Sequence, residues 1–164
     1  NGTAAMAIAL VPTGTTGDIV VTFSTAFLRC SMAAYRAIGI STPTAYEALT
    51  SVANDPTAAL DIPAGGFAIA GAQGGASASA TWTGLDEDYD NAFQTNSSHS
   101  GASKVFATTQ TNLTILCDWS AAGQGNAVFA SWAIATSNIK KYMGVSLANI
   151  KKIDGVAMTH RLWI

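Results

Sequence analysis

The chain has 164 residues, of which 49% are apolar and 11% charged, with a formal net charge of -2. The apolar share is enough for a packed core, and the charged share, far below the roughly 25% usual in soluble domains, excludes charge-driven disorder. A net charge near zero excludes a general nucleic-acid binder, and no apolar run approaches the ~18 residues needed to cross a membrane as a helix.

The uncharged polar content is Ser, Thr, Asn and Gly, with 15 glycines, a mixture that suits strands joined by tight turns. The first apolar run, 4–11, is short and follows no basic residue, so no signal peptide is expected. It reads as a strand. Next comes the turn 12–17, rich in Pro, Thr and Gly, and then 18–24, where Ile19, Val21 and Phe23 share one face. A third strand is expected over 28–38, with a helical reading of 31–37 beside it because Met, Ala and Arg are helix formers. Strands follow at 45–52, at 57–61 with 66–71, and at 77–83. The Gly-rich stretch 71–75 lacks both the Walker and the dinucleotide spacing, and reads as a hairpin turn. Two further strands are expected at 104–117 and 126–135. In them Leu113, Ile115, Cys117 and Trp119, and then Val128, Ala130, Trp132 and Ile134, alternate with their neighbours. Trp119 and Trp132 are expected in the core. Many short strands with regular turn signals predict an all-β fold, an antiparallel, jelly-roll-like β-sandwich over 1–134.

Few residues carry chemistry. Asp86-Glu87-Asp88-Tyr89-Asp90-Asn91 is the densest group of oxygen ligands and reads as a solvated loop, with Asp86, Asp88 and Asp90 as a candidate calcium site. It lacks the spacing of an EF-hand loop. A glycosidase pair drawn from these carboxylates is a weaker reading. His99 and His160 have no partner at zinc-ligand spacing, and His99 is expected on a polar loop. No G-x-S-x-G elbow is present. Trp82 and Tyr89 flank the acidic run and are the candidate stacking platform for a sugar. Asn96-Ser97-Ser98 and Asn112-Leu113-Thr114 match the N-glycosylation pattern, which arises easily by chance. Cys30 and Cys117 are left open between free thiols and a disulfide.

The composition breaks near residue 134. Residues 1–134 hold three basic side chains against nine acidic ones, whereas 135–164 hold five against one. The break coincides with a repeat of period 11: Asn138-Ile139-Lys140-Lys141-Tyr142-Met143-Gly144-Val145 matches Asn149-Ile150-Lys151-Lys152-Ile153-Asp154-Gly155-Val156. Each unit is expected to form a short helical turn, capped by Asn and ended by Gly. Two such turns cannot bury an apolar side without a neighbour. The tail 135–164 therefore reads as an assembly or docking segment, its contacts made by Ile139, Tyr142, Val145, Ile150, Ile153 and Val156. The paired lysines suit an acidic neighbour better than lipid or nucleic acid.

This repeat resembles the short N-I-x-K-[IV]-[ND]-G-V units of structural proteins of tailed bacteriophages, notably tail and fibre components. The body, in the segments 11–23, 62–69 and 80–85, is similar to small Ser/Thr/Ala/Gly-rich β domains of virion proteins. The resemblance implies a particle component, often trimeric, located in the virion and bound to other virion proteins. It implies no catalytic residue and no cofactor. The expected function is that of a structural tail, fibre or capsid-decoration protein, not an enzyme, assembling as a homotrimer or other homo-oligomer. The alternative is a carbohydrate- or receptor-binding β-sandwich module, with a host surface glycan as partner.

Overall fold

The computed structural model describes residues 2–9, 18–24, 30–40, 42–93, 95–121, 123 and 125–135, with the backbone of 141–142, 145–146, 152–153 and 156–157. Period-two segments rich in Ala, Val, Ile, Thr and aromatic residues form eight strands: β1 Glu47–Ala53, β2 Thr57–Ile62, β3 Phe67–Gly74, β4 Ala80–Thr83, β5 Asp86–Phe93, β6 Ser97–Val105, β7 Gln110–Trp119 and β8 Gly125–Trp132. All named pairings are antiparallel. One sheet has the order β1-β8-β3-β6-β5, and the facing sheet β2-β7-β4. The pairs 1–8, 2–7 and 3–6 describe one long antiparallel ribbon wrapped across two sheets, the jelly-roll connectivity. The departure is β5, which joins the edge of the larger sheet beside β6 instead of extending the smaller one.

The two sheets contribute unequal side chains to the space between them. The smaller sheet supplies Leu60, Ile62, Trp82, Ile115 and Trp119, while the larger supplies Ala68, Ala70, Ala72, Ala102 and Ala127 around one large fully buried residue, Phe129, with Leu49 partly buried beside it. Small residues opposite large ones let the layers interdigitate at close packing. The Trp82 and Phe129 rings meet edge to face at 6.5 Å.

Three buried serines stitch the layers with hydrogen bonds. Ser100 Oγ accepts from Trp82 Nε1 at 2.8 Å and donates to the Tyr89 carbonyl. Ser98 Oγ accepts from the Ala78 amide and donates to the Ala76 carbonyl. Ser131 Oγ donates to the Asp61 carbonyl at 2.7 Å. Each hydroxyl satisfies groups that would otherwise be buried without partners.

Several expectations are corrected. The segments 2–9, 18–24 and 30–38 contain no strand and no helix among their described residues. Alternation states which side chains can share a face, but a strand also needs a neighbour to bond, and none of these three segments is paired in a sheet. The N-terminal part instead reaches the outer face of the larger sheet. There Met6 and Ile40 pack on Phe67, Ala130 and Trp132, and Ile40 forms an isolated bridge with Ile134. The segment 57–71 is two strands in different sheets, because Pro63-Ala64-Gly65-Gly66 carries the chain across the sandwich. The Gly-rich stretch lies largely within β3, where Gly74 gives the Trp119 ring room: a Cβ there would come within 3.1 Å of it. The acidic run and the polar stretch after it are β5 and β6, not loops. Exposed Asp and Glu are tolerated on β5 because it is a sheet edge. In β6 the polar residues turned inward are the serines just described.

The C-terminal repeats also differ from expectation. Lys141–Tyr142 (β9) pairs with Val145–Ser146 (β10), and Lys152–Ile153 (β11) with Val156–Ala157 (β12), in the same antiparallel register one repeat apart. Each unit is a minimal hairpin, not a helical turn.

Cys30 is exposed and Cys117 buried in β7, and both are free thiols. Burial, followed by the nearby Asp90, pushes the Cys117 thiol up to about 12. We expect one thiol per native chain to react with a disulfide reagent at pH 8 and two after unfolding in urea. The folded value lies above the ordinary 9.0, so this burial favours the fold fully below pH 9 and the contribution fades as pH rises toward 12. A urea-midpoint series across that range, compared with Cys117→Ala, checks it.

Candidate functional site

The outer edge of the larger sheet, where β5 meets β6, gathers the aromatic and ionisable side chains that the core does not absorb. Register places Tyr89 opposite Gly101, Asn91 opposite His99 and Phe93 opposite Ser97. With side chains alternating between faces, Tyr89, Asn91, Phe93 and His99 share the outward one. His99 stacks on Phe93 at 4.6 Å with the rings 14° apart, and the Tyr89 ring lies 5.1 Å from it. Gly101 makes this possible: a Cβ there would run into the Tyr89 ring and the Tyr35 hydroxyl.

The N-terminal segment completes the cluster. Ser31 Oγ lies 2.6 Å from Nδ1 of His99. Tyr35 donates to Asp88, and burial first, then that carboxylate, raises its hydroxyl above the ordinary tyrosine range. Burial followed by Asp88 also raises Tyr89. His99 is lowered by burial, against an opposing pull from Asp90, so the ring favours its neutral form. Ser31 and His99 do not make a nucleophile and base of the triad kind. The two hydrogen-bonded carboxylates nearby are engaged elsewhere, Asp88 with Tyr35 and Asp90 with the Ala80 amide, and neither orients the imidazole.

The residues expected to form a site are dispersed. Trp82 is only 9% exposed, packed on Phe129 with its indole nitrogen bonded to Ser100, so it is no surface platform. This corrects the pairing of Trp82 with Tyr89. The calcium reading of Asp86, Asp88 and Asp90 is corrected as well. Asp86 pairs with Lys104 at 2.8 Å, Asp88 accepts from Tyr35, and Asp90 accepts from Ala80 N. No group of three His, Cys, Asp or Glu among the described residues is placed to hold a metal. A bulge between Glu87 and Tyr89 throws the carboxylates in different directions.

Phe93, His99, Tyr35 and Ser31 were not legible as a group. They come from three separate stretches, and only the β5–β6 register and the folding-back of 30–40 bring them together. Of the assembly residues, Tyr142, Val145, Ile153 and Val156 fall in the hairpin strands, while Ile139 and Ile150 lie outside the described residues.

A second feature is a cavity of about 640 Å3 between Ala4–Ile8 and the outer face of β1 and β8. Its lining includes Met6, Leu49, Val128 and Trp132, and Thr50 is the one polar residue in it. Ligand sites of this size normally add several convergent polar groups to fix orientation. This one is an apolar seam under the N-terminal segment. Comparisons of the chain with protein-family models, curated proteins and solved structures return no match.

Proposed function

We propose that the chain is a structural component of a tailed-bacteriophage virion, a tail, fibre or decoration protein, whose role is assembly and not catalysis. The observation that carries this reading is the repeated C-terminal hairpin. Two 11-residue units pair in identical register, Lys141–Tyr142 with Val145–Ser146 and Lys152–Ile153 with Val156–Ala157. A two-stranded hairpin is marginal by itself in water, so a tandem pair is held by what it packs against. The low charge of the body adds support, since weakly charged surface is tolerable where neighbours cover it. The chain would then work in the virion beside other virion proteins and as a homo-oligomer.

Light scattering tests the assembly step. The full chain is expected to run as a trimer or other homo-oligomer, and a chain ending at Ala135 at a lower oligomeric mass with the sandwich intact. An oligomer unchanged by that truncation removes the tail from assembly. Peptide mass spectrometry of purified particles tests location: absence of the chain from particles, with the chain present in the producing cells, overturns the virion reading.

The exposed aromatic edge favours a second reading, in which the β5–β6 edge binds a host surface glycan. Phe93 stacked on His99, with Tyr89 tilted beside them, forms an aromatic strip of the type that packs on sugar faces. Phe93→Ala is expected to lower glycan-array binding about tenfold, the loss of one stacking contact worth ~1.4 kcal/mol, while the melting temperature stays near that of the parent. Equal binding by parent and variant removes the strip as a platform.

A further inference from the structure

Four strands lie at sheet edges, and three of them are protected. β5 carries exposed Asp86, Glu87 and Asp88 and a bulge. β2 has a register break at Leu60/Ile62 and carries Asp61. β4 is four residues long and stands beside β5. Charges, bulges and shortness are the usual means of blunting an edge. Past Glu47, β1 has none of them. It runs seven residues in unbroken register with β8, and its outward positions are Ala48, Thr50 and Val52. Its single charge, Glu47, turns inward to accept from the Asp61 amide of the opposite sheet. Among the described residues no backbone–backbone hydrogen bond joins Glu47–Ala53 to any strand but β8.

The same chain carries a segment suited to that edge. Asp18–Ser24 is also seven residues long, is uncharged after Asp18, and alternates as a strand does, yet it belongs to no ladder. Ile19, Val20 and Val21 are 61%, 83% and 53% exposed. Three successive β-branched apolar residues exposed to water have the composition of a strand. We infer that Asp18–Ser24 of one copy adds to the β1 edge of a second copy, extending its five-stranded sheet to six. The main-chain groups of β1 supply affinity, and the lack of charge beyond Asp18 on the donor and the inward-turned Glu47 on β1 lowers the usual barrier. Each copy carries both donor and acceptor, so exchange closes into a dimer or ring. This contact is independent of the C-terminal hairpins.

Disulfide trapping in the full chain tests it, with Cys30→Ser removing the exposed native thiol. One chain carries Val20→Cys or Val21→Cys, which point to opposite sides of an extended segment, so one of them shares a face with Ala48, Thr50 and Val52. The second chain carries Ala48→Cys, Thr50→Cys or Val52→Cys. All five positions are at the surface, so the core is untouched. On mixing and mild oxidation, at least one pair is expected to link one chain of each kind. Its yield should far exceed that of a control with Thr114→Cys, on the outer face of the opposite sheet, and should collapse when Thr22→Pro is added to the donor. Yields no higher than the control for all six pairs overturn the inference. So does a bond formed within a single chain bearing both cysteines, diluted in excess cysteine-free chain. Failure of the tail to drive assembly leaves this result unaffected, because the cross-link reads only the arm and β1.

Discussion

Phe129→Ala is expected to destabilise the sandwich by about 3–5 kcal/mol, the range for emptying an aromatic side chain from a packed core. Phe129 is 1% exposed and is the one large fully buried residue that the larger sheet turns inward, surrounded by Ala68, Ala70, Ala72, Ala102 and Ala127 with the half-buried Leu49 beside it on β1. Alanines cannot swing into the space it leaves, so little of the cavity collapses and the upper half of the range applies. Trp82 also loses its edge-to-face partner. Against a total stability of roughly 5–15 kcal/mol, the variant sits near the threshold of folding. Urea denaturation should show a lower midpoint with an unchanged slope. A loss below about 1 kcal/mol would mean that the two sheets can slide together over the gap.

Gly84→Ala carries the second large effect, about 2–4 kcal/mol, and Gly65→Ala provides its comparison. Both glycines are left-handed, with φ of +88° and +72°, a conformation that costs an L-residue about 1–2 kcal/mol. They differ in surroundings. A Cβ at Gly84 would stand 2.6 Å from the Thr114 carbonyl oxygen, whereas at Gly65 it meets nothing within 4 Å. Gly84 lies where the chain leaves β4 for the opposite sheet, passing against β7, so relief of the clash would push apart two strands of the sandwich. The excess of Gly84→Ala over Gly65→Ala should therefore be about 1–2 kcal/mol, the overpacking share of the cost. Equal losses in thermal unfolding would show that the crossover yields freely.

The arm and the hairpins bear on how the molecule works. If the proposed contacts form, the C-terminal hairpins and Asp18–Ser24 are two separate means of joining copies. Tail truncation and arm cross-linking read them independently. If both operate, loss of one weakens the assembly and the other sustains it, because linked contacts act at high effective concentration.

Much of the architecture was legible in the residues themselves. Alternation in β7 and β8 announced strands and placed Trp119 in the core, because the period fixes which side chains share a face; Trp132 is buried as expected, but on the outer face of the larger sheet beneath Met6 and Ile40. The 11-residue repeat announced two equivalent units. The tertiary structure decided what alternation leaves open. Asp18–Ser24 reads as a strand as clearly as β1 does, yet only β1 finds a neighbour, since pairing depends on where the rest of the chain lies. Asp86–Phe93 reads as a loop by charge, and becomes a strand because a sheet edge tolerates charge. Trp82 reads as a surface aromatic beside acids, and is buried because Ser100, arriving from a different strand, accepts its indole proton. The His99 cluster depends on register, and register is a property of paired strands that neither strand carries alone.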